Sequence, residues 1–202
     1  MADTTPFITI EDAQINAALS RVAEAGGETG ALMNEIQAAM LFSVQRRFET
    51  ESAPDGTPWQ RHAPRTAKAR AKRKTHGRSG GTGPITPKLL RETNRLYKSI
   101  SGEATKTEAS VGTNLVYAAI HQTGGTVTQY PQSRKVKFRK VGTQTLFAKK
   151  AHKRAFEKPV TFGERTIVIP ARPYLGFSDE DRATILVIAE NHYSAITDGG
   201  LS

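Results

Sequence analysis

Between Arg61 and Arg78 the chain carries eight lysines or arginines, no acid, and no Leu, Ile, Val or Phe. A stretch of that composition has no apolar face to bury, so the core must be assembled from the sequence on either side of it. The wider segment, 52–87, holds five prolines and five glycines. It reads as a flexible basic arm, extended or disordered when the chain is free. Its cations are Arg61, Arg65, Lys68, Arg70, Lys72, Arg73, Lys74 and Arg78. Near its start, Pro54-Asp55-Gly56 has turn chemistry, because proline presets φ and glycine tolerates positive φ. Trp59, the one tryptophan, follows that turn. Its ring is expected to tuck against the preceding helix and anchor the loop.

That preceding helix is the clearest element. Leu32, Ile36, Met40, Val44 and Phe48 recur at steps of four, and Leu41 widens the stripe. The pattern predicts an amphipathic helix with one core-facing side, capped at Thr29. Upstream, Phe7–Ile10 is strand-like, and Ile15, Leu19 and Val22 mark a helix that Gly26 and Gly27 end. Downstream of the arm, Leu89, Leu90, Leu96, Tyr97 and Ile100 fit a short helix entering a strand, with Pro87 ahead of it. Two short strands around a polar turn follow, then a single helical turn closed by glycines. Residues 126–163 are basic and partly alternating, and read as a long hairpin-like insertion. Ser178 and Asp181 form a capping-box pattern ahead of Ile185, Ile188, Ala189 and His192 at helical spacing. The order predicts one α+β domain over residues 1–202, a small antiparallel sheet packed with helices.

Lys plus Arg total 29 against 19 Asp plus Glu, a net charge of +10. Such a surplus points to an acidic partner. For the arm three readings stand: it orders against an acidic protein surface, it lies along a DNA backbone, or it is a solvated charged loop. No aromatic residues interleave its cations, which speaks against base stacking. The absence of cysteine excludes disulfides, thiolate metal sites and cysteine catalysis. His62, His76, His121, His152 and His192 form no metal-ligand spacing, so no metal or cofactor is expected. No serine sits in a GxSxG elbow, and Arg78–Pro84 (RSGGTGP) lacks the phosphate-loop pattern. The chain reads as a non-enzyme. No apolar run approaches the ~20 residues of a membrane span. The N-terminus has neither a basic nor an apolar leader region, which predicts a soluble protein without a membrane partner. His121, alone in an apolar stretch, reads as structural.

Four stretches taken together resemble a known family. They are Phe48–Thr66 (FETESAPDGTPWQRHAPRT), Leu89–Ile100 (LLRETNRLYKSI), Val111–Gly125 (VGTNLVYAAIHQTGG) and Ile169–Asp181 (IPARPYLGFSDED). In this order they are similar to the virion morphogenesis family of tailed phages, to which tail completion proteins and the G proteins of Mu-like phages belong. The resemblance implies an α+β structural protein that forms an oligomeric ring at the neck. It would complete the tail or join it to the head, with portal, neck or tail proteins as partners and packaged DNA as a possible contact. A head-side role in capsid assembly is the alternative, and so is nonspecific DNA binding through the arm. Localisation would be the virion's head–tail junction, after assembly in the host cytoplasm. In this frame Gly112 ends a strand, and Tyr117 helps pack a short helix on the sheet. His121 and Gln122 cap that helix, and Gly124 and Gly125 turn the chain away. Arg172 is expected to pair with an acid, while Pro173 keeps its segment extended.

Overall fold

The computed structural model describes residues 12–26, 29–76, 87–148 and 153–199. The expected strand at Phe7–Ile10, and Gly27 and Arg78, lie outside the described residues. The chain divides into two compact units, Met1–Gly124 with Pro170–Ser202, and Gly125–Ile169. The architecture is α+β, and every pair of strands among the described residues is antiparallel.

The first unit opens with α1 (Ala13–Glu24), capped by the Asp12 carboxylate, which accepts the N–H groups of Gln14 at 3.0 Å and Ile15 at 3.3 Å. Gly26, at φ 79°, lets the chain leave. In α2 (Thr29–Thr50) the predicted stripe is the buried one, and Met33 joins it.

Pro64–His76 is a helix, α3, not an extended arm. Proline suits a first helical position, and the alanines, lysines and arginines behind it are strong helix formers. A segment without an apolar face can therefore still be helical.

The next helix, α4, starts late, at Arg95–Ser99. Leu89 and Leu90 precede it in irregular backbone, because Leu90 (φ 52°) and Asn94 (φ 56°) adopt left-handed conformations that break a continuous helix. β1 (Ser101–Ala104) and β2 (Ala109–Gly112) pair with Ser101 opposite Gly112. α5 (Ala118–Thr123) follows and ends at Gly124, φ 73°.

The second unit contains more than one hairpin. β3 (Gly125–Gln129) pairs with β7 (Arg165–Ile169), so both ends of the unit lie side by side, Gly125 opposite Ile169. Between them β4 (Gln132–Val141), β5 (Gln144–Phe147) and β6 (Phe156–Phe162) form a three-stranded sheet in the order β5-β4-β6.

The chain returns to the first unit at Pro170 and then forms α6 (Asp179–Gly199). The Asp181 N–H donates to Ser178 Oγ at 3.1 Å, and the Ser178 N–H donates to Asp181 Oδ2 at 2.8 Å. That reciprocal pair is a capping box with Asp in place of Glu. One buried cluster joins α1, α2 and α6 through Val22, Leu32, Ile36, Met40, Ile185 and Ile188. A second gathers Val44, Phe48, Trp59, Leu89, Leu96, Ile100, Ala118, Tyr174 and Leu175.

Candidate interaction site

The second cluster is where the four sequence stretches meet. Phe48 is its hub: Trp59 meets its ring edge-on at 5.5 Å, Tyr97 at 5.7 Å, and Tyr174 lies tilted at 5.3 Å. Such aromatic contacts add to the burial of large apolar area. Trp59 is buried, and its indole N–H donates to the Pro173 carbonyl at 2.8 Å. Tyr174 is fully buried, with its hydroxyl 3.3 Å from the Ala118 carbonyl. Burial, followed by the neighbouring Tyr117, pushes its pKa up to about 12, so it stays a neutral donor.

Polar struts tie these stretches together. Gln122 makes three bonds to one turn: its Nε2 donates to the Leu175 carbonyl at 2.8 Å, and its Oε1 accepts the N–H groups of Tyr174 and Leu175, each at 3.0 Å. Glu51, buried just beyond α2, accepts the Leu89 N–H at 2.7 Å and an Arg61 N–H. Arg47 is buried and donates to the carbonyls of Tyr174 (3.1 Å) and Gly176 (2.7 Å), and to the Asp181 carboxylate. Burial holds the Arg47 pKa below its ordinary value, and Asp181 offsets only part of that effect. Sequence reasoning missed Arg47, Glu51 and the role of Gln122. For Arg47 a signal existed, since it lies three residues after Val44 and one before Phe48, at the edge of the stripe.

Several motif residues differ from expectation. The His121 ring does not cap α5 through Nδ1, which is buried without a hydrogen-bond partner; its main-chain carbonyl instead accepts the Arg172 N–H at 2.8 Å. Gly124 ends the helix, and Gln122 is committed to the Tyr174–Leu175 turn. Arg172 directs its Nε to the Gln60 carbonyl at 2.9 Å, where a carboxylate was expected. Tyr117 is 40% exposed, its ring 5.9 Å from that of His121. Gly112 does end a strand, β2, as expected, although a Cβ there would meet nothing. Gly125 is the first residue of β3.

Burial, then Arg172 and Arg70, hold the His121 pKa below its ordinary value. Burial, then Arg70 and Arg172, do the same to His62, whose Nε2 lies 2.9 Å from Arg70 Nη1. A histidine whose folded pKa is depressed binds fewer protons than the unfolded chain does. Its stabilisation is therefore complete above pH ~6.5 and declines as pH falls below it. The melting temperature should drop between pH 7 and pH 5. His121→Gln should flatten that slope, measured by thermal unfolding across the range.

The predicted basic residues are not equivalent. Arg61 reaches back to Glu51, and Arg70 pairs with Glu92 at 3.0 Å. Arg65 and Lys68 are exposed on α3. Lys72, Arg73 and Lys74 continue the same helix. Among the described residues no His, Cys, Asp and Glu group could hold a metal, and no helix is long and apolar enough to cross a membrane. Apart from His121 Nδ1, the interior polar groups named above are spent on carbonyls, N–H groups and each other.

The model of the phage virion morphogenesis family matches residues 10–194. The chain belongs to that family. It is also 30% identical over 190 residues to Mu-like prophage FluMu G protein 2 of Haemophilus influenzae, covering 94% of this chain and 96% of the relative. No solved structure matches. Membership of the virion morphogenesis family gives the protein a role in phage virion assembly, among other phage structural proteins.

Proposed function

We propose that the protein acts at the head–tail junction, where it oligomerises as a ring and completes the tail or joins it to the head. Its mechanism is binding, with no catalytic step. The observation that carries this reading is α3. The helix is tied to the folded body by the Arg70–Glu92 pair at 3.0 Å and leaves Arg65 and Lys68 exposed, with no acid along its own length. A preformed basic helix loses less entropy on docking than a disordered arm, and its charges select an acidic partner surface in the neck.

Arg65→Gln with Lys68→Gln tests it. Exposed substitutions of this kind change stability by about 0.5 kcal/mol or less. Incorporation of the variant into particles should nevertheless fall, and the fraction of tailed heads with it. Normal occupancy with normal tail attachment would make α3 a solvated helix and remove the basis of the proposal. Normal occupancy with tailed heads that leak DNA would favour DNA as the helix's partner.

A further inference from the structure

The charge of this chain is sharply partitioned. Gly125–Ile169 contains eleven lysines and arginines against two acids, so 45 residues carry +9 of the +10 total. The opposite sign collects on the helical layer of the first unit. Residues 12–24, 29–50 and 179–199, which form α1, α2 and α6 with the Asp12 cap, hold nine acids against four basic residues, a net of −5.

Apolar exposure follows the same division. In the three-stranded sheet, Phe138 stands opposite Phe147 on β5 and Phe156 on β6. Cross-strand partners share a face, so the three rings form one row, with centroids 5.1 and 6.2 Å apart. Phe147 is 70% exposed and Phe156 39%. Register places Val136, Lys140 and Lys158 on that same face, and both lysines are exposed. On the acidic layer, Phe42 of α2 is 68% exposed and lines a groove of about 420 Å³ with Met40, Ile185 and the exposed Glu180, which pairs with Arg46 of the same groove at 3.2 Å. Glu35, also exposed, lies on the same two-helix seam, where it meets His192 at 2.9 Å.

We infer that the aromatic and basic face of Gly125–Ile169 docks on the acidic α2–α6 seam of a second copy of this chain. The two surfaces complement each other: aromatic rings with lysines on one side, a groove lined by Phe42, Met40 and Ile185 within a net acidic helical layer on the other. The aromatic row decides between partners. A phosphate backbone would neutralise the lysines and leave Phe147 in water, whereas the groove beside Phe42 offers apolar surface as well as charge. Because the two patches differ, the contact is heterologous, head to tail, and can propagate from copy to copy. The inference rests on the assembly reading and names the surfaces that would join one subunit to the next.

A charge-swap experiment on the full chain tests it. One variant carries Lys140→Glu and Lys158→Glu; the other carries Glu35→Lys and Glu180→Lys. The four positions are exposed, and circular dichroism with thermal melting checks that each variant folds. By sedimentation velocity the unaltered chain should self-associate at low salt and dissociate as salt rises. Each variant alone should lose that association, and an equimolar mixture should regain it, because each reversed surface then meets its complement. Failure of the mixture to regain association, or persistence of the oligomer in either variant alone, overturns the inference. So does an unaltered chain that stays monomeric at all salt concentrations. If that monomer shifts duplex DNA and loses the shift with Lys140→Glu/Lys158→Glu, the face is a polyanion site instead. If it associates only when another virion protein is added, that protein is the occupant. None of these failures touches the α3 assay in particles, so the two readings fall separately.

Discussion

Asp181→Ala should destabilise the protein by about 3–5 kcal/mol, because it strands the Arg47 guanidinium inside the fold. Both partners are almost fully buried. Without the carboxylate, Arg47 keeps the carbonyls of Tyr174 and Gly176 but loses its counter-charge. The same substitution removes the acceptor for the Ser178 N–H, and with it half of the α6 capping box. For a chain of this length that loss lowers the melting temperature by roughly 6–20 °C. A double variant, Arg47→Met with Asp181→Ala, should be more stable than Asp181→Ala alone, since no unpaired charge remains buried. If Asp181→Ala melts within a degree or two of the parent, the pair does not hold α2 to the Tyr174–Gly176 turn.

Phe48→Ala should have an effect of the same size, about 3–5 kcal/mol, for a different reason. Phe48 is fully buried, and three aromatic rings converge on it. Its loss opens a cavity that Trp59, Tyr97 and Tyr174 cannot all collapse to fill, since Trp59 and Tyr174 are held by hydrogen bonds at 2.8 and 3.3 Å. Trp59 is the one tryptophan, so its fluorescence reports directly on the cluster. The expected result is a red-shifted emission before global unfolding and a lower denaturant midpoint. An unchanged midpoint would show that the four sequence stretches are not held together by this hub.

Much of the first unit was legible from local pattern. The four-residue stripe of α2 requires only periodicity, and Ser178 with Asp181 marks the start of α6 by chemistry confined to four residues. What escaped was non-local. Leu89 looks helical by its neighbours, yet its N–H is taken by Glu51, 38 positions away. The β3–β7 ladder joins residues about 40 apart, and nothing in either strand names the other, so the segment reads as one hairpin when it contains a ladder and a separate three-stranded sheet. α3 was misread for another reason. The absence of large apolar residues shows that a segment cannot form a core, but helix propensity belongs to the backbone and to alanine, lysine and arginine side chains. At the candidate site the rings and turns could be anticipated, while the buried Arg47–Asp181 pair and the Gln122 clamp depend on distant partners. His121 shows the same limit: its place on α5 follows from the sequence, whereas the bond its carbonyl makes to Arg172 depends on the chain returning at Pro170.

We propose that this family member acts at the head–tail junction. The most direct test is to locate the protein in purified particles, using a small tag read by gold labelling in the electron microscope. Label confined to the vertex that bears the tail, present in particles with attached tails, is the predicted result. Label spread over the head shell, or particles fully assembled without the protein in them, would contradict it.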